Sequence, residues 1–116
     1  MQDFKNLKVW EKSHQVAIIL CRLTRGFPRE EIYGLTAQIK RAAVSIPSNI
    51  AEGQGRWTTG EFVQFLGVAH GSLCEVETQI HVALRLRLIQ QADADPVFRL
   101  ASEVGRLIYG LKNSLV

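Results

Sequence analysis

The sequence predicts an all-α domain, an antiparallel up-down-up-down four-helix bundle spanning residues 1–116. Apolar residues recur at three- and four-residue steps and nowhere alternate as a strand would require. Glycine and proline punctuation divides the chain into four segments, and connections of about two to eight residues join antiparallel neighbours. The third segment keeps a 4-3-4-3 apolar rhythm from Phe62 to Ala83, the seam of coiled-coil-like bundle packing.

The first helix is expected from about Asn6 to Arg25. Trp10, Ala17, Leu20, Thr24 and Phe27 form one stripe, and Val9, Val16, Ile19 and Leu23 form a second beside it. Glu11, His14, Arg22 and Arg25 occupy the remaining side, with Ile18 among them. Such a face is wider than packing on one neighbour requires. Gly26-Phe27-Pro28 should end the segment, glycine supplying a left-handed stop and proline preventing continuation.

The second helix is expected to begin near Pro28, with Glu30 and Glu31 at the positive end of its dipole. It buries Leu35, Ile39, Ala42, Ala43, Ile46 and Ile50. Pro47 has no amide to offer the carbonyl of Ala43 and crowds the preceding turn, so a kink or break belongs there. Gly53-Gln54-Gly55 reads as the terminator. The third helix opens on Thr58-Thr59-Gly60-Glu61, which matches a capping box. Phe62, Leu66, Ala69, Leu73, Val76, Ile80 and Ala83 line its seam, and a helix from about residue 59 to 89 is roughly 45 Å long. The fourth is expected to start at Asp95-Pro96, an N-cap with proline in the first turn. Phe98, Ala101, Val104, Leu107, Ile108, Leu111 and Leu115 should face inward.

Composition narrows the function classes. With 47% apolar and 22% charged residues, the chain is too apolar for disorder. Its longest apolar run, Val16 to Cys21, falls far short of the roughly 20 residues a membrane span needs. Met1 to Lys5 contains no apolar signal core. A compact, cytoplasmic domain is expected, with no membrane partner. Cys21 and Cys74 stand apart at helical spacing and read as small buried side chains. Residues 1–56 hold nine Lys/Arg against five acids, whereas the remainder holds five against six. This mild basic bias permits contact with phosphates without demanding it.

Most chemistry can be set aside. A di-metal bundle needs Glu-x-x-His on two helices, but only Glu11 to His14 has that spacing. Glu77 and His81 are four apart, and His70 shares nearly their side of the helix. Gly53-Gln54-Gly55 lacks the preceding strand and the Gly-Lys-Ser/Thr of a phosphate loop. No serine or cysteine lies in a nucleophile context. The expectation is no catalytic residue, no metal, no cofactor and no small-molecule substrate.

Two polar rows stand out. Arg41, Ser45, Asn49 and Glu52 follow one side of the second helix across Pro47, while Ser72 and Glu75 form a row on the third. They could pair as a half-buried network, Arg41 with Glu75 for instance, or form a solvated face. Periodicity leaves both open.

Several strings carry a family resemblance. They are Phe4-Lys5-Asn6-Leu7-Lys8-Val9-Trp10, Phe27-Pro28 with Glu31, Gln38 through Gly53, and Gly71-Ser72-Leu73 with Glu75 and Glu77-Thr78-Gln79. The chain resembles the bacterial four helix bundle protein family, whose founding members are encoded in intervening sequences of large-subunit ribosomal RNA genes. The Arg-Ala-x-x-Ser-Ile-x-x-Asn-Ile-Ala-Glu-Gly pattern is its most specific mark. More distantly the chain resembles the accessory protein of diversity-generating retroelements. The resemblance implies a left-handed bundle assembled into a homopentamer with no established catalytic activity. It marks Arg41, Ser45, Asn49, Glu52, Gly53, Ser72 and Glu75 as a family-motif cluster. The retroelement relatives bind nucleic acid and a reverse transcriptase through basic outer surfaces.

The residues themselves also point to assembly. The first helix has two apolar stripes, and Val63, Phe65 and Val68 lie outside the main seam of the third. Gly60, Gly67 and Gly71 would let a neighbour approach that helix closely. A non-enzymatic, oligomeric interaction module is the leading expectation. The alternative is a nucleic-acid-binding accessory protein, using Lys5, Lys8, Lys12, Arg22, Arg25 and Arg29.

Overall fold

A computed structural model describes residues 3–116, so only the first two residues of the Met1–Lys5 stretch lie outside it. The chain forms α1 (Lys8–Leu23), α2 (Leu35–Gln54), α3 (Thr59–Arg85) and α4 (Gln91–Leu115), with short 3-10 turns before and after α1. Each helix packs on its two neighbours in a closed square, α1 on α2, α2 on α3, α3 on α4 and α4 on α1. Contacts across the helices run in opposite order. Ser45 meets Ser72 while Gly53 faces Phe65, and His81 meets Phe98 while Gly105 faces Leu73. The longest dimension, 43 Å, matches the roughly 40 Å that α3 spans at 1.5 Å per residue.

The α3 seam behaves as its periodicity predicts. Leu66, Ala69, Leu73, Val76, Ile80 and Ala83 are buried, and Phe62 packs against them half-buried. Both stripes of α1 are taken up inside the subunit: Val9, Val16, Ala17 and Leu20 are buried, and Trp10, Ile19 and Leu23 lean on the core. The wide face is used by two neighbours, α2 and α4, and therefore says nothing about assembly. The fourth helix buries Ala101, Val104 and Ile108 as expected, with Phe98, Leu107, Leu111 and Leu115 half-buried beside them.

Helix ends depart from expectation where the chain satisfies its amides locally. Asn6 belongs to the 3-10 turn Phe4–Asn6, which Asp3 caps by accepting from the Lys5 amide at 3.0 Å. At the other end, α1 tightens into the 3-10 turn Thr24–Gly26, and Phe27 N–H donates to the Thr24 carbonyl. Gly26 is not left-handed, since no glycine among the described residues has positive φ. The tighter hydrogen bonds close the helix, and Pro28 stops it.

The second helix does not begin at Pro28. Arg29–Glu31 form a separate 3-10 turn, and α2 opens at Leu35 behind Gly34. Glu31 still serves the helix start from outside, accepting from the Leu35 amide at 3.3 Å. The helix continues through Pro47 without a break. Gly53 lies inside α2 and does not terminate it; Gly55 caps it in right-handed conformation.

Thr58 caps α3 by accepting from the Glu61 amide, but the Glu61 carboxylate accepts a hydrogen bond from the Thr58 hydroxyl rather than from a backbone amide. The helix stops at Arg85, short of residue 89. Arg87 adopts φ 59°, and Leu88 N–H donates to Ala83 O while Arg87 N–H donates to Leu84 O. These are the two bonds of a Schellman turn, made here without glycine. The fourth helix starts at Gln91, before Asp95, because burying Ala94 and Val97 favours an earlier turn. Pro96 therefore sits in the second turn, beyond the position where a missing amide is free of cost.

Candidate functional site

The motif cluster gathers along the α2–α3 seam, but its members divide by depth. Ser45 Oγ and Ser72 Oγ lie 2.8 Å apart across the interface, and Asn49 Nδ2 donates to Ser45 Oγ at 2.8 Å and to Ser45 O at 2.7 Å. These three half-buried residues form the network that periodicity left open. Asparagine has two amide protons, and this geometry employs them one turn back along a helix already missing the Pro47 amide.

Arg41 and Glu75 do not extend it. Both are exposed, and among the described residues no ion pair joins them. They stand on the rim of a shallow cleft of about 320 Å³ that Ser45 and Ser72 floor, with Tyr33 at its edge. The polar rows are thus a half-buried pair at their centre and a solvated face at their ends.

Glu52 and Gly53 belong to a different construction, the corner where α2 hands over to α3. Arg56 Nη2 donates to Glu52 at 2.8 Å, Arg56 Nη1 stands 3.9 Å from Glu61, and the guanidinium lies 4.8 Å over the Phe65 ring. A Cβ on Gly53 would meet Phe65 Cβ at 2.6 Å and Phe62 Cδ1 at 3.1 Å. Glycine is present because two backbones approach there. Arg56 was not anticipated from the sequence; its spacing of four from Glu52 was the available signal.

The six candidate basic residues separate into two groups. Lys5, Lys8 and Lys12 lie at the start of α1, where Lys5 pairs with Asp3 at 3.7 Å and Lys12 with Glu103 at 3.8 Å. Arg22, Arg25 and Arg29 lie at the far end, with roughly 20 Å of helix between Lys8 and Arg22. The structure adds Lys40 of α2 to Arg25 and Arg29, and the three line one cleft with Thr36 and Phe27. Folding α2 back on α1 creates that grouping, so linear sequence did not reveal it.

The histidines are occupied elsewhere. His14 stacks on Trp10 at 4.9 Å, His81 packs on Phe98 at 4.6 Å, and His70 Nδ1 lies 4.0 Å from Cys74 Sγ. Among the described residues no three His, Cys, Asp or Glu side chains come together as metal ligands. Cys21 is half-buried and Cys74 is exposed, correcting the expectation of two buried thiols. Gly60, Gly67 and Gly71 face open space, and no described helix is long and apolar enough to cross a membrane.

Residues 5–110 match the 23S rRNA-intervening sequence protein family. Among solved structures, a protein of unknown function from the S23 ribosomal protein family of Bacteroides thetaiotaomicron superposes with a TM-score of 0.84. It shares 22% identity, and the match covers 90% of this chain and 95% of that one. At that identity the likeness speaks for the fold alone. No curated protein matches the chain.

Proposed function

The chain belongs to the 23S rRNA-intervening sequence protein family, and on that premise we propose that it is a non-enzymatic interaction module working as a ring of identical copies. One observation supports this above others. A groove of about 390 Å³ between α3 and α4 is lined by Val63, Gly67, Ile108 and Tyr109, and Tyr109 is 64% exposed. At the same end of the bundle, just ahead of α3, Trp57 is 95% exposed. Large aromatic side chains anchor protein interfaces more than any others. The open Gly67 backbone admits close approach, since a Cβ there would meet nothing within 4 Å. A projecting aromatic on one copy seated in the hollow of the next would make a head-to-tail contact, which closes into a ring when the rotation permits. The family resemblance supplies the number five.

Sedimentation of the intact chain at micromolar concentration should give a mass several times 13 kDa. Gly67→Arg, whose Cβ would meet nothing within 4 Å, should return it to the single-chain mass with an unchanged circular dichroism spectrum. A wild-type chain that sediments singly would end the proposal.

A second reading, a nucleic-acid-binding accessory protein, draws support from Arg22, Arg25 and Arg29, which stand together without ion-pair partners among the described residues. Anisotropy titrations against single- and double-stranded DNA and RNA at two salt concentrations test it. Binding that weakens steeply with salt supports it, and no binding at micromolar protein removes it.

A further inference from the structure

The end of the bundle opposite Trp57 carries a feature that self-association does not use. Between the last turn of α1 and the first turns of α2 lies an open cleft of about 890 Å³, within the roughly 300–1,000 Å³ typical of small-molecule sites. Arg25, Arg29 and Lys40 line it, no carboxylate does, and none of the three cations has an ion-pair partner among the described residues. Of the two acids nearest in sequence, Glu31 is engaged with the Leu35 amide, and Glu30, next to Arg29, lines no part of the cleft and makes no ion pair among the described residues. Three uncompensated cations around one hollow repel one another, and an anion seated among them relieves that repulsion.

Two further observations shape the ligand. Thr36 Oγ1 is buried with no hydrogen-bond partner, although most buried hydroxyls have one. It loses no hydrogen bond by turning toward a bound oxygen. Half-buried Phe27 and exposed Ile32 add an apolar stretch of wall beside the arginines. Arginine recognises phosphate through paired N–H donors, and an aromatic ring stacks a base.

We infer that this cleft binds a nucleoside phosphate, its phosphate on Arg25, Arg29 and Lys40 and its base against Phe27 and Ile32. The ligand is either a free nucleotide or the 5′-phosphorylated terminus of a strand. The cleft goes beyond the second reading above, because a free nucleotide needs no strand-binding surface.

Amide chemical shifts of the full chain, titrated with ADP, inorganic phosphate and oligothymidylate with or without a 5′-phosphate, test it. ADP or the 5′-phosphorylated strand should move Thr36, Ala37 and Lys40 saturably. Arg25→Gln with Lys40→Gln should weaken binding about tenfold or more, with the thermal melt unchanged because both side chains lie outside the core. Thr36→Val should weaken it severalfold. Tighter binding of the phosphorylated strand assigns a strand terminus, and equal or tighter binding of ADP assigns a free nucleotide. No saturable shift, shifts indifferent to the double variant, or inorganic phosphate binding as tightly as ADP would each overturn the inference. A strand without 5′-phosphate that shifts Arg22 but not Thr36 would uphold the strand-binding reading and sink this one.

Discussion

The α2–α3 and α1–α4 interfaces bury similar aliphatic side chains but are specified differently. Between α2 and α3, a glycine without room for a methyl group faces two phenylalanines, and a serine pair with an asparagine sits farther along. Between α1 and α4, the cross-helix polar contact among the described residues is a Lys12–Glu103 ion pair at 3.8 Å with both partners about one-third exposed. The first interface can be assembled in one register only, because a slide would bury hydroxyls without partners and drive Phe65 into the α2 backbone. The second relies on apolar area, which is less demanding of position. The family-motif residues therefore concentrate where register is set, and a structural explanation covers most of them.

Substitutions can break this contrast. Gly53→Ala should have the largest effect, destabilising by about 2–3 kcal/mol through overpacking. Gly110→Ala in α4, where nothing lies within 4 Å of the added carbon, should instead gain about 0.5–1 kcal/mol from the lower entropy of the unfolded chain. Chemical denaturation of the two variants measures both signs, and equal shifts would remove the special status of the α2–α3 corner.

Ser45→Ala should come next, at about 1–2 kcal/mol, since it leaves Ser72 and one Asn49 amide proton without their partner. A shift below a few tenths in the thermal melt would mean that water replaces the hydroxyl. Smallest are the exposed and half-exposed charges. Glu103→Ala should cost at most about 1 kcal/mol, and raised salt should diminish it. Glu75→Ala should be close to neutral, because the carboxylate is exposed and makes no ion pair with Arg41. A loss of several kcal/mol there would restore the Arg41–Glu75 pairing that the spacing allowed.

Legibility in the sequence followed the range of the interaction. The α3 seam from Phe62 to Ala83 was readable because each residue's face depends only on its distance along one helix. Thr58 was readable as a cap for the same reason, since its partner is three residues away. The starts of α2 and α4 were misplaced. Pro28 and Pro96 both announce a possible first turn, but Glu31 captures the Leu35 amide in one case and Ala94 is drawn into the core in the other. Gly53 was visible as a glycine and misassigned as a stop, because the atom that demands it, Phe65 Cβ, belongs to another helix.

By itself the sequence determined four amphipathic helices, their order and most of the residues they bury, for these follow from periodicities set by backbone geometry. Tertiary structure alone decided which polar residues meet. Ser45 reaches Ser72 while Arg41 and Glu75 stay in solvent, and Lys40 joins Arg25 and Arg29 around one cleft. Hydrogen bonds and charge clusters act over a few ångströms, and only the folding of one helix against the next brings residues separated along the chain within that distance.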